Sequence, residues 1–344
     1  VAAGPAGVPF VDVYRGTLIE SVHALAACRA NSFGTTLFEL GDIDVPVYLR
    51  SSAKPFIAAA IVASGAADRF AFDARELAVV AASHGGEHFH VAAVRGLLAK
   101  LGLDESALRC GEPAPSYEPA ARALAATGRA PSALHSNCSG KHAGILAMSL
   151  HLGFDPAEYL APEHPVQQRI LAFCARLTGD DPAAWPVGVD GCGIPNFATP
   201  LRRAALAFAR FARPEGLASE DAAALRRVAR AMAAEPAYVA GTGRFDSALI
   251  AATHGDILGK GGAEGVHCSA LVRSGEGLAL KVVDGNARAA PCSALAFLEE
   301  ADALVPAERA ELARFARPLV RNVAGREVGH IAARADTISK SRAS

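Results

Sequence analysis

Short runs of apolar, β-branched and aromatic positions open the chain: Val11, Val13 and Tyr14, then Thr35, Thr36 and Phe38, then Val47 and Tyr48. Turn signals at Asn31 and Gly41-Asp42 break these runs, so residues 8–50 read as antiparallel strands. After Pro55 the spacing becomes helical, with Phe56, Ile57, Ala60 and Ile61 repeating on one face until Gly65 stops it. The switch from strand to helix falls at Ser51-Ser52.

From Asp73 to Pro236 the chain is alanine-rich and reads as mostly helical. Asp73 and Glu76 form a D-x-x-E capping signature, and further helices are predicted around 90–101, 140–152, 165–177 and 219–234. Between Pro186 and Pro195 the sequence V-G-V-D-G-C-G-I predicts a short strand and a tight loop. Strands return at Leu249–Ile257, Val266–Arg273 and Leu278–Val283, followed by helices near 292–303 and 307–316 and an extended tail at Val328–Ile331. Strands segregated from helices predict an α+β architecture. Residues 1–86 and 236–344 are expected to build an antiparallel sheet lobe, and 87–235 a mainly helical lobe carrying the 186–195 insertion.

Composition narrows the function. The 344 residues suit about two domains or lobes, and 51% hydrophobic residues with a mean hydropathy of +0.22 exclude a disordered chain. A formal net charge of -1 gives no electrostatic footprint for nucleic acid or an anionic membrane. The most apolar uncharged stretch, Pro55 to Ala67, is shorter than the roughly 20 residues of a spanning helix. Val1 to Val13 lacks a basic segment ahead of an apolar one, and a cytoplasmic protein acting on a small molecule is expected. The seven cysteines are odd in number and widely spaced, which fits free thiols or metal ligands better than disulfides.

Several motifs carry chemistry. Ser51-Ser52-Ala53-Lys54 is an S-x-x-K pattern at a helix start, where Lys54 is spaced to act as base for Ser51. Its alternative is a plain serine cap beside a solvated lysine. Gly259-Lys260-Gly261-Gly262 ends a predicted strand and resembles the K-T-G strand of penicillin-recognising enzymes, with Gly261 in place of threonine. Ser83-His84-Gly85-Gly86-Glu87-His88-Phe89-His90 either carries Ser83 into a site or is a surface loop. Its H-x-x-E-H match to a metalloprotease motif is disfavoured, because Gly85-Gly86 costs roughly 2 kcal/mol of helix propensity. No Walker A pattern is present. From residue types alone, Cys138, His142 and Cys192 are candidate zinc ligands, and an inert pair of core thiols is the alternative.

Together, Arg50-Ser51-Ser52-Ala53-Lys54-Pro55-Phe56, Ala82-Ser83-His84, Ser136-Asn137-Cys138-Ser139-Gly140-Lys141-His142, Val189-Asp190-Gly191-Cys192-Gly193 and Gly259-Lys260-Gly261-Gly262 resemble the class 3, or rhizobial-type, L-asparaginases of the asparaginase II family. The resemblance runs over nearly the whole chain; Ile57 departs from the glutamine expected after Lys-Pro-Phe. It implies a serine β-lactamase/glutaminase-like fold, a homodimer, and hydrolysis of L-asparagine to L-aspartate and ammonia. It implies two serine-lysine tandems, Ser51 with Lys54 and Ser83 with Lys260, and a zinc site of Cys138, Lys141 and Cys192. Asp190 and His142 are expected close to that zinc and, with Arg50, at the substrate. Two other classes remain open: another S-x-x-K hydrolase of β-lactamase or DD-peptidase type, and a non-enzymatic zinc-stabilised binding protein.

Overall fold

A computed structural model describes residues 4–334 and 336–338. Its strands are β1 (Val8–Arg15), β2 (Leu18–Asn31), β3 (Thr36–Leu40), β4 (Pro46–Tyr48), β5 (Val187–Val189), β6 (Pro195–Pro200), β7 (Ile257–Gly262), β8 (Val266–Leu271), β9 (Glu276–Val282), β10 (Leu319–Arg321) and β11 (Glu327–Ala333). Its helices begin with α1 (Lys54–Ala63), α2 (Ala66–Arg69), α3 (Ala74–Val80), α4 (His88–Lys100), α5 (Glu118–Ala126), α6 (Ser139–His151) and α7 (Pro165–Thr178). They continue with α8 (Leu201–Ala212), α9 (Ser219–Ala234), α10 (Pro236–Val239), α11 (Phe245–Ala252), α12 (Ala290–Glu300) and α13 (Pro306–Ala316).

The chain divides into a sheet unit, made of residues up to Ser52, 198–213 and from Ala252 onward, and a helical unit of Ala53–Phe197 and Pro214–Ala251. In the sheet unit the order is β10-β11-β1-β2-β9-β8-β7, with β3 also pairing β2, and the pairings are antiparallel. The first and last segments of the chain are therefore neighbours, β1 lying between β2 and β11. Helix α8 packs on β2, β8 and β9, so closely that a Cβ on Gly277 would stand 2.0 Å from the Ala205 carbonyl oxygen. Only glycine permits that approach. Helix α12 packs on β1, β8, β9 and β11, its Phe297 stacking on Phe10 at 4.9 Å between ring centroids.

In the helical unit α1 is buried along almost its whole length, as an apolar helix without a polar face must be, and it packs against α6, α7 and α9. Helix α3 begins with the expected capping box of Asp73 and Glu76. The division differs from the boundaries expected at 86 and 236. Residues 53–86 go with the helices because α1 and α3 pack on α6 and α9, and α8 goes with the sheet.

One strand expectation fails: Leu249 to Ala252 belong to helix α11, and the strand begins only at Ile257 after a turn with positive φ at His254 and Gly255. A short continuous apolar run has no periodicity that separates a buried helix from a buried strand. Among the described residues no helix is long and apolar enough to cross a membrane.

Candidate active site

In the sheet unit the S-x-x-K junction starts with a short 3-10 helix at Arg50–Ala53. Arg50 holds φ at +52°, a left-handed conformation that a non-glycine residue adopts at a cost and that is concentrated at functional sites. Ser51 is half-buried, whereas Ser52 is fully buried and donates its hydroxyl proton to the Lys260 carbonyl at 2.9 Å. Ser52 is thus a tie between the junction and β7, which leaves Ser51 as the serine of the pattern. Lys260 is buried and donates from Nζ to the Gly261 carbonyl at 2.8 Å. Its neighbour Gly262 is required by packing: a Cβ there would lie 2.8 Å from the Leu49 carbonyl oxygen and 3.1 Å from Ser52 Oγ.

In the helical unit Lys54 opens α1 and is 1% exposed. Its Nζ stands 2.7 Å from the Ala82 carbonyl oxygen, 3.0 Å from Ser83 Oγ and 3.2 Å from the Asn137 carbonyl oxygen. The expected partner was Ser51; the hydroxyl that the lysine hydrogen-bonds is Ser83's. Cys138 is a further hydrogen-bond partner of this amine, and the two carbonyls can only accept; with its N–H bonds on the carbonyls, a neutral amine can turn its lone pair to the Ser83 hydroxyl. Burial lowers the Lys54 pKa and favours this neutral form, helped by the charge of Lys141 and opposed by the Cys138 and Cys192 thiols.

The Ser83 loop is held from several directions. The Ser83 N–H donates to the Val239 carbonyl, and the buried Glu87 accepts from Thr242 N at 2.8 Å and Thr242 Oγ1 at 2.7 Å. Gly241, at φ +116°, lies so close to Glu87 that a Cβ would meet its carboxylate at 2.4 Å. Helix α4 starts at His88, so His84 lies in a loop and not on the helix that an H-x-x-E-H metal motif needs.

Helix α6 carries the next group. Cys138 is its N-cap, Lys141 and His142 lie in its first turn, and all three are buried. The β5–β6 hairpin presents Asp190 and Cys192 on a tight turn closed by Asp190 N to Ile194 O at 2.9 Å and Gly193 N to Asp190 O at 2.8 Å, with Gly193 at φ +91°. Ligand atoms of Cys138, Asp190 and Cys192 lie within 4.8 Å of one another, and Lys141 Nζ donates to Cys192 Sγ at 2.9 Å. Two ligands each about 2.3 Å from a tetrahedral ion stand about 3.8 Å apart, so the donor set fits zinc. Asp190, expected close to the metal as well as at the substrate, lies inside this ligand cluster.

The charges here are coupled. A hydrogen bond from the Cys192 thiol pulls the Cys138 pKa well down against the effect of burial, and Lys141 and Lys54 add to the pull; Cys192 is pushed up by the same contact. Burial opposes the charge on Lys141, but Cys138, Cys192 and Asp190 outweigh it and keep the amine protonated. An ion entering the cluster therefore has to displace a proton from Lys141 before that lysine can coordinate.

His142 Nδ1 lies 2.7 Å from the Tyr159 hydroxyl, which accepts the Arg109 N–H at 2.9 Å. The phenol proton then goes to Nδ1, leaving Nε2 protonated, and among the described residues that buried Nε2 has no partner. Burial first, then the charges of Lys141 and Lys54, keep the ring neutral. His142 thus offers one buried donor. Tyr159 was not singled out in the sequence, where an isolated tyrosine carries no signal, nor were the Ala82 and Asn137 carbonyls, which belong to no residue type.

No curated protein matches the chain. Among solved structures, a crystal structure of Mglu in its native form in the presence of 4.3 M NaCl shares 16% identity at a TM-score of 0.46, covering 81% of this chain and 60% of that chain. A β-lactamase from Mycobacterium bovis shares 16% at a TM-score of 0.42, covering 80% and 94%. A putative β-lactamase from Bacteroides dorei DSM 17855 shares 16% at 0.40, covering 75% and 85%. This chain spans only 60% of the length of the first of these. The strands and helices segregate into the α+β architecture expected from the sequence. The family model described as L-asparaginase II matches residues 11–333, a span that contains every motif discussed above, and the chain belongs to that family.

Proposed function

We propose that the protein hydrolyses L-asparagine to L-aspartate and ammonia. Family membership supports an amidohydrolase of the asparaginase type. The observation that carries the finer reading is the fully buried Lys54 amine 3.0 Å from Ser83 Oγ, beside the Ala82 and Asn137 carbonyls. A serine hydroxyl attacks an amide only if a base takes its proton, and the same base must return a proton to the departing ammonia. A neutral Lys54 takes the Ser83 proton, and the ammonium so formed returns it to the departing ammonia. Ser51 and Lys260 complete the set of catalytic residues in this proposal, on the strength of the motif resemblance, and Arg50 takes the substrate carboxylate as a bidentate partner. His142 supports the reading through its unpartnered donor, which suits a substrate oxygen.

Zinc is proposed as the cofactor, held by Cys138, Cys192 and Lys141 with Asp190 beside them. Bound there, it would supply positive charge for orienting substrate and for fixing the hairpin to α6. A homodimer belongs to the same proposal and rests on the family resemblance alone.

The test is a substrate panel: the purified protein with L-asparagine, L-glutamine and nitrocefin, followed by ammonia, amino-acid and chromophore release. Aspartate and ammonia from asparagine in preference to the others support the proposal. Nitrocefin cleavage without ammonia release from either amide would replace it with a β-lactamase activity.

A further inference from the structure

His84 is fully buried, and both of its ring nitrogens are committed. Nδ1 lies 3.1 Å from the Gly86 N–H, which can only donate, so this nitrogen bears no proton. Nε2 must then carry the proton and donate it to Ser139 Oγ at 2.9 Å, while the Ser139 hydroxyl donates onward to the Leu134 carbonyl at 3.0 Å. Every donor in this chain has one acceptor. His84 has no free nitrogen with which to exchange a proton or bind an ion.

The placement of this chain relative to Lys54 gives it a use. Lys54 bridges two segments, the Ala82-Ser83 end of one loop and the Asn137 carbonyl before α6. His84 bridges the same two segments further along each, from the residue after Ser83 to Ser139, the first residue of α6 and two residues after Asn137. The lysine rung takes part in the proposed chemistry. The histidine rung does not, because burial and the charges of His90 and Lys54 oppose protonation of its ring.

We infer that His84 is a positioning residue: its Gly86–His84–Ser139–Leu134 chain fixes the Ser83 loop against the start of α6, so that Ser83 Oγ stays at the Lys54 amine. This rests on the proposed hydrolysis by Ser83 and Lys54. A misplacement of about 1 Å in such a pair is enough to cost on the order of 10²-fold in rate.

The two rungs of the histidine can be removed separately. In His84→Asn the side chain still accepts from Gly86 N–H, as in an Asx turn, but falls short of Ser139; His84→Gln reaches Ser139 and leaves Gly86 unpaired. Ser139→Ala removes the acceptor and keeps the histidine. Steady-state ammonia release should show kcat lowered roughly 10- to 100-fold in each, with KM within about threefold and zinc content unchanged. The double variant His84→Asn/Ser139→Ala should be no slower than the slower single variant, because both changes cut one bond. Multiplying losses in the double variant, a loss confined to KM, or unchanged turnover would overturn the inference. If instead Ser83→Ala retains wild-type turnover, the proposed chemistry itself is overturned, and the two failures are told apart.

Discussion

At the residue scale, the buried histidines set how the protein responds to acid. His90 is 0% exposed and stacks on His84 at 4.8 Å between centroids; Nε2 faces the Ala237 carbonyl at 3.2 Å, and Nδ1 has no partner among the described residues. Burial lowers its pKa to about 4, and the Ala237 hydrogen bond and Glu87 only partly offset this. The unfolded chain takes up that proton near the ordinary value of about 6.5, so between about pH 6.5 and 4 the unfolded state binds more protons than the folded one. Stability is complete above that window and falls as the pH drops through it, by about 3 kcal/mol for His90 alone. His84 acts with the same sign. Urea unfolding at pH 7, 5.5 and 4 should show this decline, and His90→Gln, which keeps a donor for Ala237, should flatten it. An equally steep decline in that variant would remove His90 as its source.

Part of this residue-level picture was legible in the sequence. Ser51, Lys54, Ser83, Cys138 and Cys192 were candidates by residue type and spacing, whereas Lys141 as a ligand came only from the family resemblance, because an amine must lose a proton before it can coordinate. The pairing of Lys54 with Ser83 was not legible, because helical spacing relates a residue only to its own helix, and two of the lysine's partners are backbone carbonyls.

At the scale of elements, α6 is placed by two glycines. A Cβ on Gly140 would stand 2.2 Å from the Val79 carbonyl oxygen of α3, and one on Gly144 would meet Ile61 and Val80 at 2.8 Å. Gly140→Ala should therefore push the start of α6 away from α3. It should cost about 1–3 kcal/mol of stability and weaken zinc binding through Lys141. Gly96 in α4 is the control, since its Cβ would meet nothing closer than Glu76 Oε1 at 4.0 Å. Gly96→Ala should raise stability by up to about 1 kcal/mol, as alanine does in an open helix interior. Thermal melts and metal analysis of both variants check this. Similar behaviour of the two would mean that close packing does not set the position of α6.

The elements themselves were read from periodicity, and the reading was best where periodicity or punctuation was strong. Helices α4, α6, α7 and α9 and the β5–β6 turn lie within a few residues of expectation. Helix α8 was not singled out within the stretch read as mostly helical, although it sets Arg202, Arg203 and Arg210 against a buried apolar face. Helix α11 was read as a strand because Ala248–Ala252 is uniformly apolar.

At the scale of the whole molecule, metal and fold should be linked, because an ion bound by Cys138, Cys192 and Lys141 ties the β5–β6 hairpin to α6. Binding to the folded state alone adds roughly 2.7 kcal/mol when free zinc is at 100 times its dissociation constant. Chelation should lower the melting temperature and zinc should restore it, with Cys138→Ser and Cys192→Ser indifferent to both. A wild-type melting temperature unmoved by chelation of bound zinc would separate the metal from the fold. The central claim, that buried Lys54 and Ser83 perform amide hydrolysis, is tested most directly by ammonia release from L-asparagine by the wild type, Lys54→Ala and Ser83→Ala, each shown folded by circular dichroism. The wild type should turn over and each variant should fall by about 10³-fold or more; a folded Lys54→Ala protein releasing ammonia at the wild-type rate would contradict the account.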